Sequence, residues 1–430
     1  MMKVSISGVR GVYGQDLTLN EVSRFSSLFA GIAGAKCILA RDTRPSSRIL
    51  SQVVSASLMS AGVDVYNLGV APTPAAFREA RKYGAGVMVT ASHNPLEWNG
   101  LKFIVQGRGL FEDELAKMLA SKPSAGGRFG NEHAATTTYV DDVATLIGAG
   151  DSQVALDCGG GASCGYAEQL FKKLGMKHIS INGVAGFSSR GPDPTVDELA
   201  DLRALVKTNG LDFGFALDPD GDRMVVVKDG EKLNPDATVL LCIARAAEMG
   251  VKNFVASIDS SVAIDKYVKS HGGKIAQAKV GEVNVVKKML ETGAEAGGEG
   301  SSAGFIMSKF NMCRDGLLAA ATIATLDKKV IADCLAFASQ FSQIRTKLPA
   351  DSALHVKVME KLPDMLKAES AQLILGDGVK AIIDEDSWAL VRPSNTEHAI
   401  RVSVESRAGK VESLFKKISE KVQRAYDEAK

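Results

Sequence analysis

One pattern recurs three times and limits what this chain can fold into. An apolar run ends in an aspartate, then come small residues, an amphipathic stretch, a glycine and a second apolar run. The first copy begins with Cys37–Ala40, followed by Asp42 and the loop TRPSS. A helix is predicted over about Arg48–Ser60, then Gly62 and a strand over Val63–Leu68. The second copy has Val154–Leu156, Asp157, the loop CGGGAS, a helix over about Gly165–Leu174, Gly175 and a strand around His178–Ile181. The third has Phe254–Ile258, Asp259, Ser260 and Ser261, a helix over about Ala263–Ser270, two glycines and a strand over Lys274–Ala278. A helical period between two strand-like runs marks a βαβ unit, which needs parallel strands and a crossover helix. Three such layers in tandem predict three α/β domains.

After the third copy the pattern changes. Thr346–Ser352 reads as a linker. Beyond it, Gly376–Glu385 suggests a short hairpin, DSWALVRPSNTEHAIRVSVES two strands around a polar loop, and Val411–Lys430 a terminal helix, an α+β module unlike the others. The expected divisions are 1–148, 149–233, 234–345 and 346–430, with Ser121–Asn131 a loop late in the first and Asp229–Asp236 the seam before the third. At 430 residues the chain has room for about two to four domains and several cores without disulfides.

Charge excludes some partners. The 51 basic and 50 acidic residues leave a net charge of +1, so no overall field recruits nucleic acid or an anionic membrane. Any anion must be held by local groups. The first residues, MMKVSISGVRG, lack the apolar core of a signal peptide, and no apolar run reaches membrane-spanning length. The longest, near Leu317–Leu326 and Val239–Ala247, read as buried helices. The six cysteines form no CxxC pair and read as reduced core residues of a cytoplasmic protein.

Five segments carry chemistry. In VMVTASHNP a strand ends in a polar loop with Ser92 at its tip, either a solvated turn or a nucleophile presented by a rigid strand. No GxSxG elbow is present, and Lys102 lies a short loop away, in reach of a phosphate or a sugar hydroxyl. In GFALDPDGDRMVVV, two apolar strands flank alternating Asp218, Asp220 and Asp222. An Asp- and Gly-rich turn would look similar, but three like charges call for a hard cation, and Arg223 adds a fixed positive charge. An EF-hand is ruled out by Arg223 in the glycine position and by flanking strands. GGEGSSAG is either a flexible glycine loop or a polyol-binding one, with Glu299 accepting from hydroxyls and Ser301 donating and accepting. RPSNTEHAIR is either a polar hairpin loop or a phosphate cradle built from Arg392, Ser394, Asn395 and Thr396. Arg10, between glycines in SISGVRG, could meet a phosphate.

In this order, the segments resemble the α-D-phosphohexomutases, the family of phosphoglucomutase, phosphomannomutase and phosphoglucosamine mutase. TASHNP and NGLKF resemble that family's phosphoserine loop and the segment after it, DPDGDR its metal loop, GEGS its sugar loop, KVGE at Lys279–Glu282 a further sugar-proximal segment, and RPSNTE its phosphate loop. The resemblance implies three tandem α/β domains with mixed, largely parallel sheets plus a C-terminal α+β domain, around a central cleft. The domains would in turn bear the phosphoserine, bind the metal, recognise the sugar and bind its phosphate. It implies phosphorylated Ser92, one Mg²⁺ on Asp218, Asp220, Asp222 and the phosphoserine, and a hexose 1,6-bisphosphate as intermediate and activator. Arg10, His93 and Lys102 match positions near the reacting oxygens. Lys279, Glu299, Ser301, Arg223, Arg392, Ser394, Asn395, Thr396 and Arg401 would bind the substrate. The phosphate loop has Asn395 and His398 where glycine and proline are usual. The sugar loop lacks its usual histidine, as in archaeal relatives that include phosphoglucosamine mutases. The expected activity is interconversion of hexose 1-phosphate and 6-phosphate, on glucose or mannose, with glucosamine the alternative and a metal-dependent sugar phosphatase the rival. The expected assembly is a monomer or homodimer.

Overall fold

Each of the three repeats closes into a sheet with the same four-strand order. In the first, Asp64–Val70, Lys36–Arg41 and Ala85–Val89 run parallel, and Trp98–Val105 returns antiparallel. The second repeats this with His178–Ile181, Val154–Asp157, Phe213–Leu217 and Met224–Lys228. The third does so with Lys274–Ala278, Asn253–Ser257, Ala296–Glu299 and Gly304–Met307. The computed structural model describes residues 2–122, 127–394 and 398–430. In every sheet the acid of the sequence repeat (Asp42, Asp157 or Asp259) sits at or just beyond the end of the second strand. In every sheet the third strand ends in one of the singled-out loops, at Thr90, Asp218 and Gly300. That is the end of a parallel strand where α/β folds place their sites.

The last sheet is wholly antiparallel, in the order Phe341–Pro349, Ala399–Arg407, Ser387–Pro393, Val379–Asp384 and Gln372–Leu375. Helices His355–Lys367 and Val411–Asp427 cover it. Here the sequence expectation needs correction. Thr346–Pro349 is not linker but the end of the strand Phe341–Pro349, which pairs along its length with Ala399–Arg407 and runs through the expected boundary between 345 and 346. Its proline occupies the last position of an edge strand, where no donor is lost. The seam Asp229–Asp236 holds the short strand Glu231–Lys232 and the start of the helix Pro235–Glu248.

Two cores differ in reach. One runs through all three repeats, joining Ile38 and Phe77 to Leu156 and Phe215 and on to Leu240 and Leu317. Its centre is the helix Gly316–Ala324, whose every residue is buried. Its sequence, GLLAAATIA, is apolar all round, which suits a helix enclosed on every side. Asp315 caps it, accepting from the Leu318 N–H at 3.0 Å. The last module keeps its own core, with Val358, Leu362, Val391, Val402 and Ile418. It meets the third repeat through a small patch, Ile258 with Trp388 and Leu390. All six cysteines are free, and five are buried. No helix among the described residues is long and apolar enough to cross a membrane.

Candidate active site

The site begins at Ser92. A buried strand, Ala85–Val89, feeds a loop in which Ser92 adopts φ 54° and is fully buried. A left-handed backbone is disfavoured for a serine, so the surroundings must hold it. The Thr90 hydroxyl accepts from the Ser92 N–H at 2.8 Å. Arg44, fully buried, donates to the carbonyls of Ser92, of Asn94 at 2.7 Å, of Pro95 at 2.5 Å and of Trp98 at 3.0 Å. Asp42 in turn accepts from the Arg44 Nε at 3.1 Å.

The Ser92 Oγ points out of its own sheet and donates to Asp218 Oδ2 at 3.0 Å. His93 Nδ1 lies 3.2 Å from the same oxygen. Burial, reinforced by Arg223, Arg10 and Arg314, pushes the His93 imidazole well below its ordinary pKa. Arg10 donates to the Ala91 carbonyl at 3.5 Å.

Asp218, Asp220 and Asp222 are all fully buried, with one oxygen from each within 4.8 Å of the others. Three carboxylates so close cannot stay charged without cations. Part of the compensation is visible. Lys102 donates to Asp220 at 2.6 Å and Asp222 at 2.7 Å, and Arg314 donates to Asp222 at 2.8 Å. Burial opposes the Lys102 charge, but Asp220 and Asp222 outweigh it and hold the ammonium above its ordinary value. For Asp222, burial is outweighed by Arg314 and Lys102, and its carboxyl sits well below the usual range. Asp218 goes the other way, raised by burial and by its two neighbours. Two buried oxygens, Oδ1 of Asp220 and of Asp222, have no protein partner. Oxygen donors, excess negative charge and orphaned buried oxygens fit a hard divalent cation.

Several residues at this centre carry no sequence signal of their own. Thr73 donates its hydroxyl to Asp220 Oδ2 at 2.5 Å. Arg314, 8% exposed, joins the metal loop to the sugar loop, donating to Glu299 at 2.9 Å and to Ser302 at 3.2 Å. Its Nε lies 3.4 Å from Glu282. Gly304 makes room for it, since a Cβ there would sit 2.1 Å from Arg314 Cδ. Arg44 follows Asp42 inside the repeat, which was the available clue. Arg314 precedes a capping Asp-Gly pair, which points to a helix start but not to a contact 92 residues away.

Other expected site residues are placed as follows. Glu299 also accepts from the Gly281 N–H at 2.7 Å, so its carboxylate is already engaged on both oxygens. Ser301 is half-buried in the turn Gly300–Ser302. Lys279 is exposed. Arg223 donates its backbone N–H to Asp218 at 3.1 Å, and its guanidinium lies 3.9 Å from Asp193. Arg392 pairs with Asp377 at 3.0 Å, and Asp377 also accepts from the Val280 N–H at 2.8 Å. Arg401 is exposed and cross-strand from Arg392, and Ser394 is buried. Asn395 and Thr396 lie outside the described residues. Contacts thus run unbroken from Arg392 through Asp377, Val280–Gly281, Glu299 and Arg314 to Asp222, touching the second, third and last sheets.

Four family models match the chain in order. They are phosphoglucomutase/phosphomannomutase α/β/α domain I over residues 1–124, domain II over 137–231, domain III over 234–338 and the C-terminal domain over 350–421. The chain belongs to the phosphoglucomutase/phosphomannomutase family of α-D-phosphohexomutases, intramolecular phosphotransferases of the isomerase class. It is 31% identical over 425 residues to a probable phosphoglucosamine mutase of Methanobrevibacter smithii, covering 93% of this chain and 94% of that protein. A phosphoglucosamine mutase of Methanococcus vannielii is 31% identical over 399 residues, covering 86% of this chain and 88% of that one. The fold matches a phosphoglucomutase/phosphomannomutase family protein of Burkholderia thailandensis with a TM-score of 0.83 at 24% identity, covering 99% of this chain and 98% of that one.

Proposed function

We propose that this chain interconverts glucosamine 6-phosphate and glucosamine 1-phosphate, with Ser92 as the phosphoryl carrier. The names of its curated relatives, matched along nearly the whole chain, support the amino sugar over the glucose or mannose that the sequence alone suggested. The observation that carries the chemistry is the 3.0 Å contact between the Ser92 hydroxyl and Asp218, made across two sheets.

In this reading Ser92 rests phosphorylated. Its phosphoryl group passes to the free hydroxyl of the bound sugar phosphate, whose proton leaves, and the sugar becomes a 1,6-bisphosphate. The bisphosphate turns over, and the phosphoryl group at its other end returns to Ser92. The same bisphosphate, added from outside, primes an unphosphorylated enzyme. Mg²⁺ held by Asp218, Asp220, Asp222 and the phosphoserine would neutralise charge on the transferring group. Arg10 and Arg223 supply fixed positive charge beside it. His93, 3.2 Å from the Ser92 Oγ, is placed to relay a proton. Lys102 balances the metal carboxylates. Glu299, Ser301 and Lys279 would meet the sugar, and Arg392, Ser394, Asn395, Thr396 and Arg401 the distal phosphate.

The test is a panel of glucosamine, N-acetylglucosamine, glucose and mannose phosphates, each with Mg²⁺ and its 1,6-bisphosphate. The highest kcat/KM is expected for the glucosamine pair. A preference for glucose or mannose would move the substrate assignment, and phosphate release without isomerisation would replace the mutase reading with a phosphatase.

A further inference from the structure

The serine loop and the metal loop leave equivalent strands, and each is tied down by an aspartate–arginine pair. In the first sheet Asp42 holds Arg44, and Arg44 grips the carbonyls of the serine loop. In the second sheet Asp157, the equivalent acid, accepts from Arg190 Nε at 2.7 Å. Arg190 Nη2 donates to the Leu217 carbonyl at 2.6 Å and to the Asp157 carbonyl at 3.4 Å, and its Nη1 donates to Gly191 at 3.0 Å. Both partners are buried, with side chains 6% and 2% exposed. Leu217 is the residue before Asp218.

The two arginines reach these positions by different routes. Arg44 lies 2 residues beyond its aspartate, and Arg190 lies 33 residues beyond its own, on a loop after the edge strand. Their common geometry is therefore not a by-product of one local turn. The glycines of CGGGAS make way for it. A Cβ on Gly159 would lie 2.9 Å from Arg190 Nη2 and 3.1 Å from the Leu217 carbonyl, and one on Gly161 would lie 2.6 Å from the Pro219 carbonyl. The two devices also touch, because Thr43, between Asp42 and Arg44, donates to the Gly160 carbonyl at 2.8 Å.

We propose that Arg190, oriented by Asp157, is a positioning residue for the metal loop, fixing the Leu217–Asp218 peptide and with it the direction in which Asp218 presents its carboxylate to a cation. This rests on reading the aspartate triad as a metal site. A guanidinium suits the task because its planar fork can hold a carboxylate and a carbonyl at once.

The test measures Mn²⁺ binding to the full-length protein by electron paramagnetic resonance, with thermal unfolding and steady-state kinetics alongside. Arg190→Met is expected to weaken Mn²⁺ by about tenfold or more and to raise the Mg²⁺ needed for half-activation in parallel, leaving the KM for the hexose phosphate within about twofold. Arg190→Lys, which keeps the charge but not the fork, should fall between. Arg190→Met with native Mn²⁺ affinity overturns the proposal. Should Arg190→Met fail to fold, Asp157→Asn, which keeps the guanidinium but loosens the carboxylate that orients it, decides. Weaker Mn²⁺ supports the assignment, and native affinity overturns it. A wild-type protein that takes up no Mn²⁺, or an Asp218→Asn variant that binds it as well as wild type, sinks the metal reading itself and the proposal with it.

Discussion

The three repeats and the last module are built on opposite plans. One core runs through all three repeats, beside further clusters such as that of Phe25, Phe29, Leu50 and Phe103 in the first, and the repeats' loops are cross-tied by buried charged side chains. The last module keeps a private core and touches the third repeat through a small patch. Around that patch the contacts are buried and titratable. Glu405 accepts from the Ser261 hydroxyl, from the Val262 N–H at 2.7 Å and from Trp388 Nε1 at 2.5 Å. Lys380 donates to the Ile258 carbonyl at 2.6 Å. In the proposed reaction phosphoryl transfer would need fixed geometry, whereas a sugar bisphosphate bound in two orientations would need a grip that adjusts. A core that spans the repeats and stops short of the last module suits that difference.

The strongest test strikes the shared block. Ser92→Ala or Asp218→Asn should lower turnover on the order of a thousandfold while the thermal midpoint stays near wild type. Arg314→Met should destabilise the three-repeat block by about 3–5 kcal/mol in denaturant unfolding, because it leaves the buried Glu299 without its cation and Asp222 with Lys102 alone. An effect below 1 kcal/mol, about the worth of an exposed ion pair, would show that the tie is ornamental.

The module boundary should respond to pH instead. Burial pushes the Glu405 carboxyl from 4.5 up to about 7. The folded protein thus holds that proton more tightly than the unfolded chain, so this stabilisation is complete below pH 4.5 and is lost as pH rises through 7. Its ceiling is about 3 kcal/mol. Lys380 has the opposite sign. Burial lowers it from 10.5 to about 8, so its contribution is present above 10.5 and is lost as pH falls through 8. In calorimetry, Glu405→Gln should flatten the slope between pH 4.5 and 7, and an unchanged slope would assign it to other groups. The smallest expected effect is that of Mg²⁺. At ten times its dissociation constant it should stabilise the block by about 1.4 kcal/mol and leave the last module's transition in place. A shift in the last transition alone would reverse the comparison.

Much of this architecture was legible in the sequence because strand, acid, small residues and helix carry local signals. The βαβ pattern gave the three sheets, and DPDGDR announced itself through three like charges at alternate positions. What escaped were side chains whose meaning depends on distant neighbours. Thr73 reads as a helix start after Pro72, yet its hydroxyl serves Asp220. Arg314 lies between two unremarkable segments, and only the packing of the helix Gly316–Ala324 brings it to Asp222 and Glu299. Glu299 carries the sugar-loop signal, but nothing local announces that it also accepts from the Gly281 N–H and from Arg314. Thr346–Pro349 reads as a linker because a proline ends strands and begins linkers alike.

Gly304 sets a limit on how this enzyme's selectivity can evolve. The loop that would meet the sugar and the loops that would carry phosphate end different strands, so mutations in one can accumulate without touching the others. Ser301, half-buried in that loop, is free to vary toward another hexose. Position 304 is not, because any side chain there would evict Arg314 and cut the link between sugar loop and metal loop. Laboratory selection for a new substrate should therefore populate position 301 and leave Gly300 and Gly304 untouched.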